Sequence, residues 1–306
     1  MTPDIIRRGE KIDRPGLYRM PIEWYHDSCT VGPSISSTGI KQILECPAKY
    51  WAFSPLNPDR IEQETTKALS FGKAAHSIVL EKRLSSREFA VSPFNDFRTK
   101  AAQQWRDKAE KIGLTVLKAD DLQVIAAMYQ QIIKHPVVEA GGLDGLVECS
   151  LIWQDEATGL WLKARPDTIP MGDMTINYKA TADASIRAAS RDVIKYGYYI
   201  SEAMVAMGMA AVLKRQVTNA GLLNQEKSPP YIVSLYELSD AYMAAGVQMV
   251  REGIDTFDRC LKANDWPGYP EDNDTLVPPD YITRRAFGTS RADVGALDDL
   301  VTEDAE

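Results

Sequence analysis

Apolar and polar positions change period near residue 145, which divides the chain into a helical first part and a mixed second part. Upstream, apolar residues recur every three or four positions, the spacing of a helix with one buried side. Residues 36–52 read as a helix opened by Ser36 or Ser37 and interrupted at Pro47, with Ile40, Ile43, Leu44, Tyr50 and Trp51 turned inward. Residues 66–81, 100–112 and 119–134 read as further helices, the last closed by His135-Pro136, because proline lacks the amide that continues a helix. Downstream, alternation takes over. Residues 146–154 read as a strand, Glu156-Ala157-Thr158-Gly159 as a turn, and 160–170 and 174–182 as two strands joined at Met171-Gly172-Asp173. Helices at 184–195 and 199–214, strands at 217–223 and 231–236, and a long helix at 240–263 complete the pattern. Apolar residues at Met243, Val247, Val250, Ile254 and Phe257 mark the buried side of that long helix. Four or five strands flanked by helices predict an α/β or α+β core, and the absence of repeats or a long linker predicts one main domain.

The paired strands at 160–170 and 174–182 carry the candidate chemistry. Side chains two apart on a strand share a face, so Asn177 and Lys179 lie together, and a hairpin would bring Asp167 to them. With an acid at 177 this would be the core of a metal-dependent phosphodiesterase: two carboxylates for a divalent cation and an ammonium to orient water or neutralise phosphate charge. Asn177 offers a carbonyl oxygen without charge, and an Asp there is expected to raise cleavage. Both natural divergence and an introduced Asp-to-Asn change fit this residue. His76, among apolar neighbours in the 66–81 helix, and Glu148, early in the 146–154 strand, extend the set to His76, Glu148, Asp167, Asn177 and Lys179. Taken singly, a helical His is more often an interior hydrogen-bonding residue, and a Glu at a strand start is more often solvated. The order of the five matters more, since it is the order a compact divalent-metal site would use.

The formal charge of −8 over 306 residues argues against a nucleic-acid binder until its distribution is considered. After Arg291 come Asp293, Asp298, Asp299, Glu303, Asp304 and Glu306 with no cation, a tail expected to be disordered and solvated, or to compete with DNA for a groove. The body is then near neutral. Lys163, Arg165, Lys179, Arg187, Arg191 and Lys195 cluster around the site segments, and the spacing of four puts Arg187, Arg191 and Lys195 on one helix face, able to meet phosphates without reading bases. Arg98, Lys100, Arg106, Lys108 and Lys111 read as an ordinary solvated face. Cys29, Cys46, Cys149 and Cys260 show no metal-site spacing and read as reduced thiols. No apolar run approaches the ~20 residues of a membrane span, and the N-terminus lacks a secretory apolar segment, which predicts a cytoplasmic protein.

The runs STGIKQILECPAKYWAF, SFGKAAHSIVLE, VECSLIWQDEATGLWLKARPDTIP, INYKATADAS, NQEKSPPYIVSLYEL and DRCLKANDWPGY, in order from about Ile35 to Tyr269, resemble the nuclease domain of RecE-type exonucleases (exonuclease VIII) in the PD-(D/E)xK superfamily. The resemblance implies a restriction-endonuclease-like core at 35–270, an N-terminal extension at 1–34 and a C-terminal extension at 271–306. It implies that Asp167 is the motif aspartate after Pro166, Lys179 the motif lysine, Glu148 an acid of the first core strand and His76 a contributor to the metal site, with Asn177 where the family has Asp or Glu. Ser201 and Val205 fall where the family carries Gln and Tyr. It further implies Mg2+ or Mn2+, catalysis by Lys179, Asp167, Glu148 and Asn177, and metal contacts from His76, Glu148, Asp167 and Asn177; the clustering of cations, separately, assigns DNA contacts to Arg165, Arg187, Arg191 and Lys195. The implied activity is digestion of linear duplex DNA from an end in phage or prophage recombination, by a homo-oligomer partnered with a single-strand annealing protein. The alternative is a nuclease fold that has lost catalysis and binds DNA or a protein.

Overall fold

Ser36 ends a short strand and caps the helix expected after it, its hydroxyl accepting the Gly39 amide at 3.5 Å. Pro47 then starts a second helix, as proline is suited to the first helical turn. The computed structural model describes residues 2–61, 67–86 and 88–269, with 278, 281, 282 and 284 beyond. In chain order its strands are β1 (Asp4–Ile5), β2 (Gly16–Arg19), β3 (Ser34–Ser36), β4 (Phe89–Val91), β5 (Thr115–Leu117), β6 (Gly145–Val147), β7 (Ser150–Gln154), β8 (Trp161–Ala164), β9 (Thr168–Pro170), β10 (Met174–Thr181), β11 (Asn219–Glu226) and β12 (Val233–Glu237). The helices are α1 (Ile22–His26), α2 (Ser37–Glu45), α3 (Pro47–Phe53), α4 (Lys67–Glu81), α5 (Lys100–Lys111), α6 (Ala119–Ile132), α7 (Pro136–Glu139), α8 (Ile186–Lys195), α9 (Tyr198–Gly208) and α10 (Asp240–Ala263). A π-helical turn, Met209–Leu213, prolongs α9 and ends at Lys214, whose φ is +56°.

The strands form mixed ladders flanked by helices, the α/β architecture expected. One ladder runs β1-β2-β7-β8-β3, another β10-β11-β12, and β4-β5 and β6-β9 are two-stranded. β10 pairs parallel with β11 from Met174↔Asn219 to Thr181↔Glu226. Three sequence expectations change here. The stretch 160–170 is not one strand: Pro166, which has no amide to donate, lies between β8, paired with β7, and β9, paired with β6. The hairpin with 174–182 is not a ladder, because the Tyr178 amide on β10 donates to the Asp167 side chain (2.6 Å) instead of to a strand carbonyl. The 146–154 strand breaks at Glu148, whose φ of +56° turns the backbone left-handed between β6 and β7.

Residues 1–34, read as an extension, supply β1, β2, α1 and the start of β3. β2 pairs antiparallel with β7, and Leu17 joins the core beside Leu151 and Leu162. That core fills the space between β7, β8 and the helices α2, α9 and α10, with Ile40, Ile43, Met204, Val250, Ile254 and Phe257 buried. Each such side chain contributes about 1.5–3 kcal/mol. α9 and α10 meet so closely that a Cβ on Gly246 would lie 2.4 Å from the Tyr199 carbonyl oxygen, so glycine is required there and α9 is held firmly. A second core joins α4 and α6 to β10 and β11 through Ala74, Ala75, Ile125, Ile176, Tyr178 and Leu223. Trp153 and Trp161 are buried in the core, and the four cysteines are free and buried. The chain divides into Met1–Gly268 and a separate unit, Tyr269–Glu306; the acidic tail after Arg291 lies outside the described residues. Among the described residues no helix is long and apolar enough to cross a membrane.

Candidate active site

Strand β10 is the ruler of the site. Alternation sends Ile176 and Tyr178 into the α4/α6 core and Asn177 and Lys179 to the other face, toward α9. At the edge of the strand, Asp167 Oδ2 accepts the Tyr178 amide, and Oδ1 lies 3.6 Å from His76 Nδ1 on α4. The His76 ring meets the Tyr178 ring edge-on at 5.1 Å. Burial holds the imidazole below its usual pKa, against the opposing pull of Asp167, so His76 is neutral near pH 7.

On the α9 side, Asn177 Nδ2 donates to Glu202 Oε1 at 2.6 Å, and Asn177 Oδ1 accepts from the Lys179 ammonium, which also lies over the Tyr198 ring. The other Glu202 oxygen accepts the Thr175 hydroxyl at 3.3 Å. Glu202 is 2% exposed; burial pushes its carboxyl up, while the Asn177 hydrogen bond and the Lys179 charge oppose that shift. Nearby, Lys41 on α2 donates to Ser201 Oγ and to the Tyr196 carbonyl, both at 3.1 Å. Burial first and the Lys179 charge second push Lys41 down to about 8. Sequence reasoning missed Glu202 and Lys41. Glu202 left a signal, a lone acid inside the apolar run YYISEAMVAMG. Of the two positions flagged on α9, Ser201 pairs with Lys41 and Val205 packs in the core.

Glu148 is brought near Asp167, its amide 3.5 Å from the Asp167 carbonyl oxygen, but its carboxylate is held by Arg165 through Nε (2.8 Å) and a terminal guanidinium nitrogen (2.7 Å). Arg165 also donates to the Met20 carbonyl and lies over the Tyr25 ring, with 10% of its side chain exposed. Its donors are thus turned inward, away from the phosphate-contacting surface expected of it. Lys163 is buried too, donating to the Tyr25 and Asp27 carbonyls, and so separates from the surface cations with which the sequence grouped it. Arg187, Arg191 and Lys195 are exposed along α8, opposite the buried Ala188, Ala189 and Val193. Arg191 pairs with Asp192.

Among the described residues no group of three or more His, Cys, Asp or Glu side chains lies close enough to share a metal ion. The adjacent pair is Asp167 and His76, because Arg165 takes Glu148 and Lys179 takes the Asn177 carbonyl oxygen. Oxygen with imidazole suits Mg2+ or, better, Mn2+ in ligand type, and one full ligand charge suits weak binding, since affinity for hard cations grows with carboxylate count.

No curated protein matches this chain. Among solved structures, the fold is similar to that of a "putative exonuclease" from Eubacterium rectale, with a TM-score of 0.53 and 15% identity over 84% of this chain and 94% of that one. An alkaline exonuclease from Laribacter hongkongensis aligns at 14% identity over 63% of this chain and 97% of that one, with a TM-score of 0.24, too low to carry an argument. The first likeness supports the mixed α/β nuclease-like fold. The family of PDDEXK-like domains of unknown function (DUF3799) matches residues 36–277, which takes in β10, His76, Glu148, Asp167 and Glu202, and the chain belongs to that family.

Proposed function

We propose that this chain is a deoxyribonuclease of the PD-(D/E)xK type that acts on duplex DNA. The supporting observation is the meeting of Asp167, His76 and the Asn177-Lys179 pair around one strand of a nuclease-like fold. Asp167 and His76 would hold Mg2+ or Mn2+, which when bound activates water and shields phosphate charge. The Tyr178 amide fixes one Asp167 oxygen, so the carboxylate is oriented before substrate arrives. Neutral His76 adds a nitrogen donor without repelling a cation. Lys179 brings positive charge to the developing phosphate anion, and Asn177 limits where its ammonium can point. Arg187, Arg191 and Lys195 supply backbone contacts that carry no sequence preference. With these go the finer expectations of the RecE-like resemblance: attack from a DNA end in phage or prophage recombination, a homo-oligomeric assembly in the cytoplasm, and a single-strand annealing partner.

The test is digestion of linear against closed circular duplex with Mg2+, with Mn2+ and with EDTA, by the parent and by Asp167→Ala. The proposal expects metal-dependent loss of linear DNA by the parent alone. A second reading, a DNA-binding nuclease fold without cleavage, is favoured by the neutral residue at 177 and by the Arg165 clamp on Glu148. Equal background cleavage by both proteins, with both still binding DNA, would establish it.

A further inference from the structure

We infer that Glu202 is a positioning residue of this site: it supplies from α9 the negative charge missing at position 177 and, through the Asn177 amide, holds Lys179. Its kinetic consequence rests on the nuclease reading, whereas the arrangement itself does not.

The chemistry of the three groups fixes the orientation of the amide. A carboxylate only accepts and an ammonium only donates, so Nδ2 must face Glu202 and Oδ1 must face Lys179. An Asp at 177 could still accept from Lys179, but it would set a second carboxylate against Glu202 at the 2.6 Å now spanned by the amide hydrogen bond. Residues 177 and 202 are therefore a matched pair, one amide and one acid, and exchanging either alone mismatches them. Both Glu202 contacts, from Asn177 and from the Thr175 hydroxyl, are hydrogen bonds that a carboxylate accepts. Among the described residues no ion pair of Glu202 is found within 4.0 Å; burial first and the Asp167 charge after it raise its carboxyl, and those two hydrogen bonds with the Lys179 charge beyond the amide are what favour the ionised form. The Gly246 contact holds α9 against α10, which keeps the carboxylate from retreating. The negative charge expected on the strand thus stands one hydrogen bond deeper, on the helix. The simple expectation that Asp at 177 raises cleavage reverses unless residue 202 changes with it.

Four proteins test this: the parent, Glu202→Gln, Asn177→Asp and the double exchange N177D/E202Q. Glu202→Gln keeps the shape and the hydrogen-bonding capacity and removes only the charge, so it is expected to fold. Lysine reactivity is read by trace acetylation with peptide mass spectrometry, using exposed Lys195 as internal reference. Losing a negative charge just beyond the amide should raise Lys179 labelling in Glu202→Gln several-fold, on the order of 3–10. The double exchange, with the charge returned to 177 and an amide at 202 donating to it, should restore labelling to the parent level. Asn177→Asp alone should melt lower than the double exchange, increasingly so above neutral pH, where both acids must ionise side by side. Where DNA is cleaved, kcat should fall in each single variant and recover in the double one with KM unchanged. Unchanged Lys179 labelling in Glu202→Gln, or a double variant no better than the worse single, overturns the inference. Restored labelling with no cleavage by any of the four overturns the nuclease reading and leaves the inference standing.

Discussion

Two carboxylates flank strand β10, and they are held in opposite ways. Asp167, with 15% of its side chain exposed, takes a main-chain amide on one oxygen and faces a neutral imidazole with the other. Glu202, 2% exposed, takes a side-chain amide and a hydroxyl. A backbone donor is present with any residue but proline at 178, so the Asp167 side of the strand tolerates change around it. Side-chain donors can change, so Glu202 depends on the identity of 175 and 177. Exposure assigns the roles: the acid at the edge can meet a substrate, and the acid under the helix can only act through its neighbours.

The sharpest break of this comparison comes from deleting each acid in turn. Asp167→Ala should cut any metal-dependent cleavage by a factor of about 100 or more, since it removes the carboxylate proposed to hold the ion beside His76, with a smaller loss of about 1 kcal/mol in stability for the freed Tyr178 amide. Glu202→Leu should invert that profile, costing about 1–3 kcal/mol because Asn177 Nδ2 and the Thr175 hydroxyl lose their acceptor. Urea unfolding read beside initial cleavage rates separates the two. Matching profiles would mean that the two acids form one unit and that the division by exposure is wrong.

How much of this the sequence revealed follows from which forces are local. The long α10 helix was legible to its last residue, because its apolar spacing runs unbroken and Ser239 caps it. The capped α2 and the proline-started α3 were legible for the same reason. His76, Glu148, Asp167 and Asn177-Lys179 could be gathered into one set because each follows an ordered motif along the chain. The hairpin expected from alternation did not form, because Asp167 satisfies the β10 amide with its side chain, a tertiary choice that alternation does not encode. Glu148 could be marked as an acid but not as the left-handed break between two ladders, nor as the partner of Arg165. Glu202 was hidden among apolar neighbours, and only folding brings it to Asn177, twenty-five positions away.

A finer probe of the α9 side is Lys41, pushed down to about 8 where the ordinary value is 10.5. The folded pKa lies below the unfolded one, so between these values the unfolded chain binds more protons and stability rises with pH. Below about pH 8 the penalty for charging Lys41 in its half-buried place is fully expressed and no longer changes with pH. The parent should therefore gain on the order of 2–3 kcal/mol relative to Lys41→Met between pH 8 and pH 10.5, measured by urea unfolding at several pH values. Because Glu202 opposes the shift, the window should begin lower in Glu202→Gln. A parent and a Lys41→Met protein with parallel stability curves across that range would remove Lys41 from the charge network around Glu202.

The smallest expected effect separates the buried side of the site from its outer surface. α8 follows directly from β10 and turns Ala188, Ala189 and Val193 inward, which leaves Arg187, Arg191 and Lys195 on its exposed face. On α5 the comparable cations are partly spent within their own helix, since Arg106 pairs with Asp107 and Glu110; before it, Arg98 pairs with Asp96. On α8 Arg191 has Asp192, and no ion pair of Arg187 or Lys195 is found among the described residues. Each cation that displaces counterions from a phosphate adds close to one unit to the dependence of log affinity on log salt. Replacing Arg187, Arg191 and Lys195 by Ala should therefore flatten that dependence by up to about 3 units, and weaken binding equally for unrelated sequences. Replacing Lys100, Lys108 and Lys111 on α5 should alter the slope by less than about 1 unit. Fluorescence anisotropy with two unrelated duplexes over a salt series measures both. A slope that responds to α5 and not to α8 would carry the DNA away from β10, and with it the premise that Asp167 and Lys179 meet a phosphate.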